Sequence, residues 1–539
     1  MASSPDLIIW GSHFRTLDPD LPHCSAVAVS NGTITATGDD DTIRAMRGPG
    51  TKVIDGRDIA FVPGLTDSHI HPLLGAIATQ GADLYNAKSI AEMRRRVQAE
   101  RERVGPSAWV TGWGVHYEPF AEEGILGSFF DEATAGQPMI LTFFDGHTAV
   151  ANAAALAAAG VTGPVEFTEE SYVVCRDNIP TGELQESGAM NLVRAAMPEP
   201  DATMRYGWYR DAFRRFSEAG LTSLHAMDGV PEDLEIYRQL EANGDLSCRV
   251  VVPMWQTPDM SLAEMKERLP FRDEHGHLWR CGSAKFFIDG VIDTGTGWLV
   301  APDTFGDGNN PFWPDPDYYA AAVALFARAG FQCITHAVGD RAVQAALDAY
   351  EAAANAPSDT VKGPHRIEHI ELVQDHDIPR FADLGVTASM QPLHLEPAAV
   401  GDTDGWATRV GPERTKQAFR ARSLLDAGAT LALGSDWMVA PIDPRLGMAW
   451  ARLRREPQQE VVPPRAPDQA LTALQALEGY TTGAATAIGE GHHLGRIKPG
   501  YRADFTGFAA DPVESDADAL LDVPIVMTIV DGRVTHESR

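Results

Sequence analysis

Long apolar runs are missing from this chain of 539 residues: no stretch of about 18 apolar residues occurs, so no membrane-spanning helix is expected. The start, Met1-Ala-Ser-Ser-Pro-Asp6, lacks the basic residues and apolar centre of a secretory signal. A soluble, cytoplasmic protein is the expectation. Positive charge is short as well, with 44 Lys and Arg against 75 Asp and Glu and a net charge of −31. Polyanions would be repelled, so neither nucleic acid nor an anionic membrane is expected as a partner. The acidic residues are scattered, which reads as a solvated, salt-adapted surface and says little about substrate. Cysteine is scarce: Cys24, Cys175, Cys248, Cys281 and Cys333 lie far apart, with no Cys-x-x-Cys. An odd set at such spacings predicts buried free thiols rather than a disulfide framework or a zinc knuckle. No Gly-x-Gly-x-x-Gly follows an early strand, which weighs against a dinucleotide-binding open sheet.

What is present is a long middle that alternates strand and helix between two β-rich ends. Short alternating segments open the chain at Leu7–Trp10, Ala26–Gly32, Thr33–Gly38 and Lys52–Gly56, and Asn31-Gly32 predicts a tight hairpin turn. Similar segments close it at Gly495–Phe508 and Ile525–Val534. Residues 1–60 and 491–539 are expected to build one small β-sandwich. Within 61–490, helical patterns such as Tyr318–Ala329, Arg341–Ala354 and Ala473–Ile488 separate short apolar runs. Those runs begin near Gly220, Arg249, Ala284, Gln332, Arg366, Val386 and Thr430, and the segment ending at His71 makes an eighth. Alternation implies parallel pairing, and eight strands close a (β/α)8 TIM-like barrel. An open doubly wound sheet is the alternative. Between the first two strands lies an excess of roughly 130 residues, far beyond an ordinary connection. This insertion, about residues 80–210, carries Trp109, Trp113, His116, Phe143, Phe144 and His147. It is expected to cap the barrel mouth.

Two histidines one residue apart, His69 and His71, end the first apolar run. Side chains i and i+2 of a strand share a face, so both imidazoles would project toward one point, as a metal ion requires. Lys285, His336, His369 and Asp436 fall at or within later strands, whose C-terminal ends carry the chemistry of such a barrel. Imidazole and carboxylate suit zinc and similar divalent ions. Each residue also has a plainer reading. His336 opens a helix and could cap or pack, His369 could be a core histidine, and Asp436 could be an N-cap. Lys285 lies among apolar residues, where a bare ammonium is costly, so it must be paired, functional or modified.

Taken together, the motifs resemble the amidohydrolase superfamily and, within it, the YtcJ-like branch (amidohydrolase family 3) that includes N-substituted formamide deformylase. The resemblance runs nearly end to end. It rests on Pro63-Gly-Leu-Thr-Asp-Ser-His-Ile-His71, Asp145-Gly-His-Thr-Ala-Val-Ala-Asn152, Thr181-Gly-Glu-Leu-Gln-Glu186, Lys285-Phe-Phe-Ile-Asp-Gly290, His336-Ala-Val-Gly-Asp-Arg341, Arg366-Ile-Glu-His369, Gln391-Pro-Leu-His394, Gly434-Ser-Asp436 and Leu494–Asp504. It implies that His69 and His71 bind one ion and His336 and His369 a second, with a carboxylated Lys285 bridging them. Asp436 would bind the first ion and take a proton from the attacking water. Branch members often carry arginine where Gly295 stands, so the substrate side here is expected to be less cationic and roomier.

The expected activity is hydrolysis of a C–N bond in an amide, N-substituted formamide, carbamate or cyclic amide, using one or two zinc-like ions. A water activated by metal would attack, with Asp436 as general base and His394 or His147 as a donor to the oxyanion. Trp113, Phe143, Phe144, Glu186, Trp298 and Trp437 are the candidate substrate-binding residues, although packing explains the aromatic ones equally well. An esterase or lactonase on the same centre and a catalytically silent metal-binding regulatory protein are the alternatives. A small-molecule substrate is the expected partner, and a homodimer stays open.

Overall fold

The computed structural model describes residues 4–144, 146, 148–167, 171–354, 362–395 and 403–538. The chain forms two compact units, Met1–Pro72 with Ala212–Arg539 and, separately, Leu73–Asp211.

In the first unit, eight parallel strands stand side by side in chain order. They are β1 (Leu65–Ile70), β2 (Leu221–Ala226), β3 (Arg249–Trp255), β4 (Trp279–Phe287), β5 (Gln332–Ala337), β6 (Arg366–His369), β7 (Thr387–Met390) and β8 (Leu431–Leu433). Parallel neighbours need long crossovers, and helices such as Asp233–Asn243, Pro316–Arg328 and Asp340–Ala354 supply them. Every residue of β1, β2 and β5–β8 is buried, as expected of strands covered on both faces. Past the end of β8 the chain meets β1: Asp436 N–H donates to His69 O at 2.7 Å and His71 N–H to Trp437 O at 2.8 Å. The sheet is therefore a nearly closed barrel. Gly434 permits the approach, because a Cβ there would stand 2.5 Å from His69 N.

Two boundaries differ from the sequence reading. The strand expected through Asp436 is regular only over Leu431–Leu433. Beyond it Ser435 N–H turns to the Asp67 carboxylate and Asp436 adopts φ +59°. The helix expected over Ala473–Ile488 is two helices, Ala473–Gly479 and Thr482–Ala487. Between them the Tyr480 carbonyl accepts from Thr66 N–H on β1 at 2.7 Å, so it is bonded outside the helix.

Strands from both chain ends share one six-stranded sheet, in the order Arg533–Glu537, Ile525–Val530, Phe505–Phe508, Ala60–Pro63, His13–Arg15, His23–Cys24. A four-stranded sheet holds Thr33–Gly38, Ala26–Ser30, Leu7–Trp10 and Lys52–Asp55. One apolar cluster draws on both sheets, including Leu7, Val27, Phe14, Phe61, Phe505 and Ile529. The turn at Asn31-Gly32 has φ +50° and +69°, the mirror-image geometry that matches strand twist.

The second unit is built on a mixed six-stranded sheet with two apolar clusters of its own, one around Leu84, Phe130 and Phe143, the other around Ile140, Leu184 and Val193. All five cysteines are free; Cys248, Cys281 and Cys333 are buried, while Cys24 and Cys175 are only half-buried, short of the burial expected for them. No helix among the described residues is long and apolar enough to cross a membrane.

Candidate metal centre

The C-terminal ends of β1, β6 and β8 bring a carboxylate and several imidazoles to one point. Asp436 Oδ1 lies 3.3 Å from His69 Nε2 and 3.2 Å from His71 Nε2, and Asp436 Oδ2 lies 3.3 Å from His394 Nε2. The His369 ring sits among them, 4.7 Å from that of His69, 4.3 Å from that of His336 and 5.3 Å from that of His394. Despite this crowding, Asp436 Oδ1, His71 Nδ1, His369 Nδ1 and His394 Nε2 are buried and make no hydrogen bond among the described residues. Buried polar atoms normally find partners. Ligand bonds of 2.0–2.1 Å in a tetrahedron put neighbouring donor atoms about 3.3 Å apart. The donor set, its spacing and its orphaned atoms therefore fit a divalent cation. His69, His71 and Asp436 form one such group, and His369, His394 and Asp436 another.

The backbone here is held in unfavourable conformations. His369, Ile370 and Asp436 have φ of +73°, +51° and +59°, which non-glycine residues adopt only when their surroundings enforce it. The enforcement at Asp436 is visible. Buried Asp67 accepts from Ser435 N–H at 3.0 Å, from Ser435 Oγ at 2.5 Å and from His69 N–H at 3.1 Å, tying both ligand-bearing turns to one carboxylate. Burial pushes the Asp67 carboxyl up to about 7 against these hydrogen bonds. Burial would also raise Asp436, but His69, His394 and His71 outweigh it and hold Asp436 well below the usual carboxylate range.

Comparison with known proteins agrees with this geometry. The model of the amidohydrolase family (Amidohydro_3) matches residues 52–536. The chain belongs to the amidohydrolase family. It is 30% identical over 526 residues to Protein LONG AFTER FAR-RED 3 of Arabidopsis thaliana, covering 93% of this chain and 86% of that one. It is 27% identical to N-substituted formamide deformylase of Arthrobacter pascens, over 100% of this chain and 99% of the relative. Among solved structures, an uncharacterized metal-dependent hydrolase from Pyrococcus horikoshii superposes with a TM-score of 0.73 at 23% identity, over 95% of this chain and 99% of the other. That last likeness establishes the fold.

In this amidohydrolase, Lys285 is buried in β4, and no carboxylate among the described residues comes within ion-pair distance of its amine. Burial pulls its pKa down to about 8 against the attraction of Glu368 and Asp436. His336 presents Nε2 to Gly290 O at 3.1 Å and stacks on Phe287, which leaves Nδ1 as the nitrogen free to ligate. Burial, with Lys285 nearby, holds His336 well below its ordinary pKa, so it is a neutral donor of electrons. His394 has the opposite character. Burial lowers it, but Asp436 and Glu371, whose Oε1 is 3.6 Å from His394 Nδ1, carry it to about 10. Its Nε2 faces Asp436 Oδ2 at 3.3 Å and belongs to the second donor group, so His394 can serve as a ligand or as a hydrogen-bond donor.

The candidate substrate-binding residues separate. Trp298 is buried, with its backbone N–H donating to Asp289 Oδ2 at 2.8 Å and Arg341 over its ring at 5.3 Å. The same carboxylate accepts from Val338 and Gly339, so Asp289 joins the loops that follow β4 and β5. Trp437 is buried edge-on against Phe216, with Arg215 over its ring. Beside Gly295, where an added Cβ would lie 2.5 Å from Arg409 Nη1, the guanidinium pairs with Asp303 and Asp307. Four candidates belong to the second unit. Phe143 is buried in its core, Phe144 stacks on His116 at 4.8 Å, Trp113 faces Tyr85 at 6.5 Å, and Glu186 opens the helix Glu186–Arg194. His147 lies outside the described residues.

Several residues gather at the site without having been assigned a role from sequence. Asp67, Asp289, Arg366 and Glu368 stand inside the recognised motifs, adjacent to the ligand candidates; that adjacency was the available signal. Asp228, 3.7 Å from His71 Nδ1, and Glu371 carried none.

Proposed function

We propose that this chain is a metal-dependent hydrolase of C–N bonds in small amides, formamides, carbamates or cyclic amides. The observation that carries the reading is Asp436, with one oxygen facing His69 and His71 and the other facing His394. His69 and His71 would hold one zinc-like ion, His336 and His369 a second, and Lys285 would bridge them as a carbamate. A bound ion of this kind lowers the pKa of water toward 7 and polarises a carbonyl. Asp436 takes the proton of the attacking water and passes it to the leaving nitrogen, a role suited to a carboxylate that stays ionised. His394, charged and pointed at the same centre, donates to the developing oxyanion. Trp298 would line the substrate side. Two features support the carbamate: among the described residues the Lys285 amine has no carboxylate within ion-pair distance, and its lowered pKa leaves more of it unprotonated to attack carbon dioxide, releasing one proton as the N–C bond forms.

The test is a panel of amides, formamides and esters assayed with metal-loaded and chelator-stripped protein, beside elemental analysis. Amide turnover that disappears with the metal and returns with zinc is expected. Preference for esters would move the assignment to an esterase. Full activity without metal would end the reading.

A further inference from the structure

The interior of the barrel below the centre is unusually polar, and one chain of contacts crosses it from wall to wall. Arg366, at the start of β6, is wholly buried, as are Glu368 and His225. Its Nε donates to Glu368 Oε1 at 2.6 Å and its Nη2 to Glu368 Oε2 at 3.0 Å. Nη2 also reaches Ser389 Oγ on β7 at 2.7 Å and the Ser68 carbonyl on β1, and Nη1 reaches His225 Nδ1 on β2 at 2.9 Å. At the other end, Glu368 Oε2 lies 2.7 Å from His69 Nδ1. Four strands thus converge on one guanidinium.

We propose that His225 and Arg366 form a lock through the barrel that fixes the orientation and tautomer of His69, and thereby sets the ion affinity of a centre that His225 does not touch. The proposal rests on the metal-centre reading above.

The proton positions follow from donor inventory. Arginine only donates, so His225 Nδ1 accepts and the proton of that ring sits on Nε2. Glu368, paired with two nitrogens of Arg366, stays an ionised acceptor. His69 Nδ1 must then carry its proton toward Glu368, which leaves the Nε2 lone pair directed at Asp436 Oδ1, 3.3 Å away. A histidine ligand whose second nitrogen donates to a fixed carboxylate is held in one tautomer and made more basic. What this barrel adds is the fixing of that carboxylate. Glu368 cannot swing away from His69 without breaking a two-point contact with Arg366. Arg366 in turn cannot move without losing Ser68, Ser389 and His225. Among the described residues no hydrogen bond or ion pair joins His225 to a candidate ligand, so any effect of His225 on the ion must travel through Arg366.

The test measures zinc affinity by chelator competition and the visible spectrum of the cobalt-loaded protein, alongside melting of the metal-free protein. His225→Leu and Glu368→Gln are expected to weaken zinc by about 10–100-fold and to shift the cobalt bands, as loss of outer hydrogen-bond partners does. His225→Asn, whose side-chain oxygen can accept from Arg366, is expected to recover most of the affinity, which a merely space-filling role would not predict. Wild-type affinity and spectrum in a folded His225→Leu protein would overturn the lock. Should that variant not fold, Ser389→Ala decides: weakened zinc binding supports the lock, and unchanged binding overturns it. A wild type that takes up no divalent ion would sink the metal-centre reading and the lock together, whereas wild-type affinity in the variant sinks the lock alone.

Discussion

The two ends of the barrel carry similar residue types in opposite states. At the N-terminal end, Arg249 pairs with Asp504 at 2.6 Å and Asp531 at 2.8 Å, and Arg280 with Glu490 at 2.5 Å and the Ile488 carbonyl at 2.8 Å. Gln332 donates to the carbonyls of Pro364 and Ala487, and His365 Nδ1 accepts from Cys333 N–H at 3.0 Å. These groups are partnered: Arg249 fastens the barrel to residues flanking the C-terminal strands, and Arg280 and Gln332 fasten it to the end of the helix Thr482–Ala487 and the residues that follow. At the other end, His71, His369, His394 and Asp436 keep buried atoms without hydrogen bonds among the described residues. A buried polar atom without a partner costs about 1–3 kcal/mol. One end of the barrel is closed by its own chemistry, and the other presents donor groups that could hold a cation. Substitutions at one end should move stability, and at the other turnover.

The largest separation is expected at Asp436. Asp436→Asn should keep the fold and lower turnover per bound ion by roughly 10²–10⁴-fold, the usual range for a positioned acid–base group. Metal content and rate must come from the same sample, and equal turnover per ion would leave Asp436 a structural turn residue. Lys285→Ala tests the same end. It should reduce ion occupancy and slow turnover by roughly 10–100-fold, with partial recovery in short carboxylic acids. Normal occupancy and rate in that variant would remove the bridge.

Arg249→Leu probes the opposite end. Leaving the buried Asp504 without its arginine should cost about 3 kcal/mol in chemical denaturation, with turnover per folded molecule unchanged. A loss of turnover at full stability would break the comparison. The smallest effect is a pH dependence. Burial lowers His365 from 6.5 to about 4. The unfolded chain therefore takes up a proton near pH 6.5 and the folded chain only near pH 4. This contribution is complete above pH 6.5 and is lost as the pH falls toward 4. Between pH 7.5 and 5, His365→Asn should lose less stability than wild type, by on the order of 1–2 kcal/mol. Identical pH slopes would show that His365 is already solvated in the folded chain.

How much of this was legible in the sequence depends on the range of the interaction involved. Alternating apolar runs and helical patterns placed the eight strands and their order, because burial on both faces demands local runs of apolar residues. Asn31-Gly32 announced its turn because only certain residues tolerate positive φ. His69 and His71 converge because i and i+2 share a face. The Trp437 ring, by contrast, meets Phe216, far away in sequence, and the helix expected over Ala473–Ile488 breaks where Thr66 N–H takes the Tyr480 carbonyl.

By itself, then, the amino-acid order determined what periodicity and backbone preference control: the strand count, the turns, and which residue types stand near strand ends. Tertiary structure alone decided which of those residues meet. Asp67 and Ser435 are separated by 368 residues and share a hydrogen bond, and His225 and Arg366 by 141. No local pattern encodes those distances, because they are set by how eight strands close around one interior.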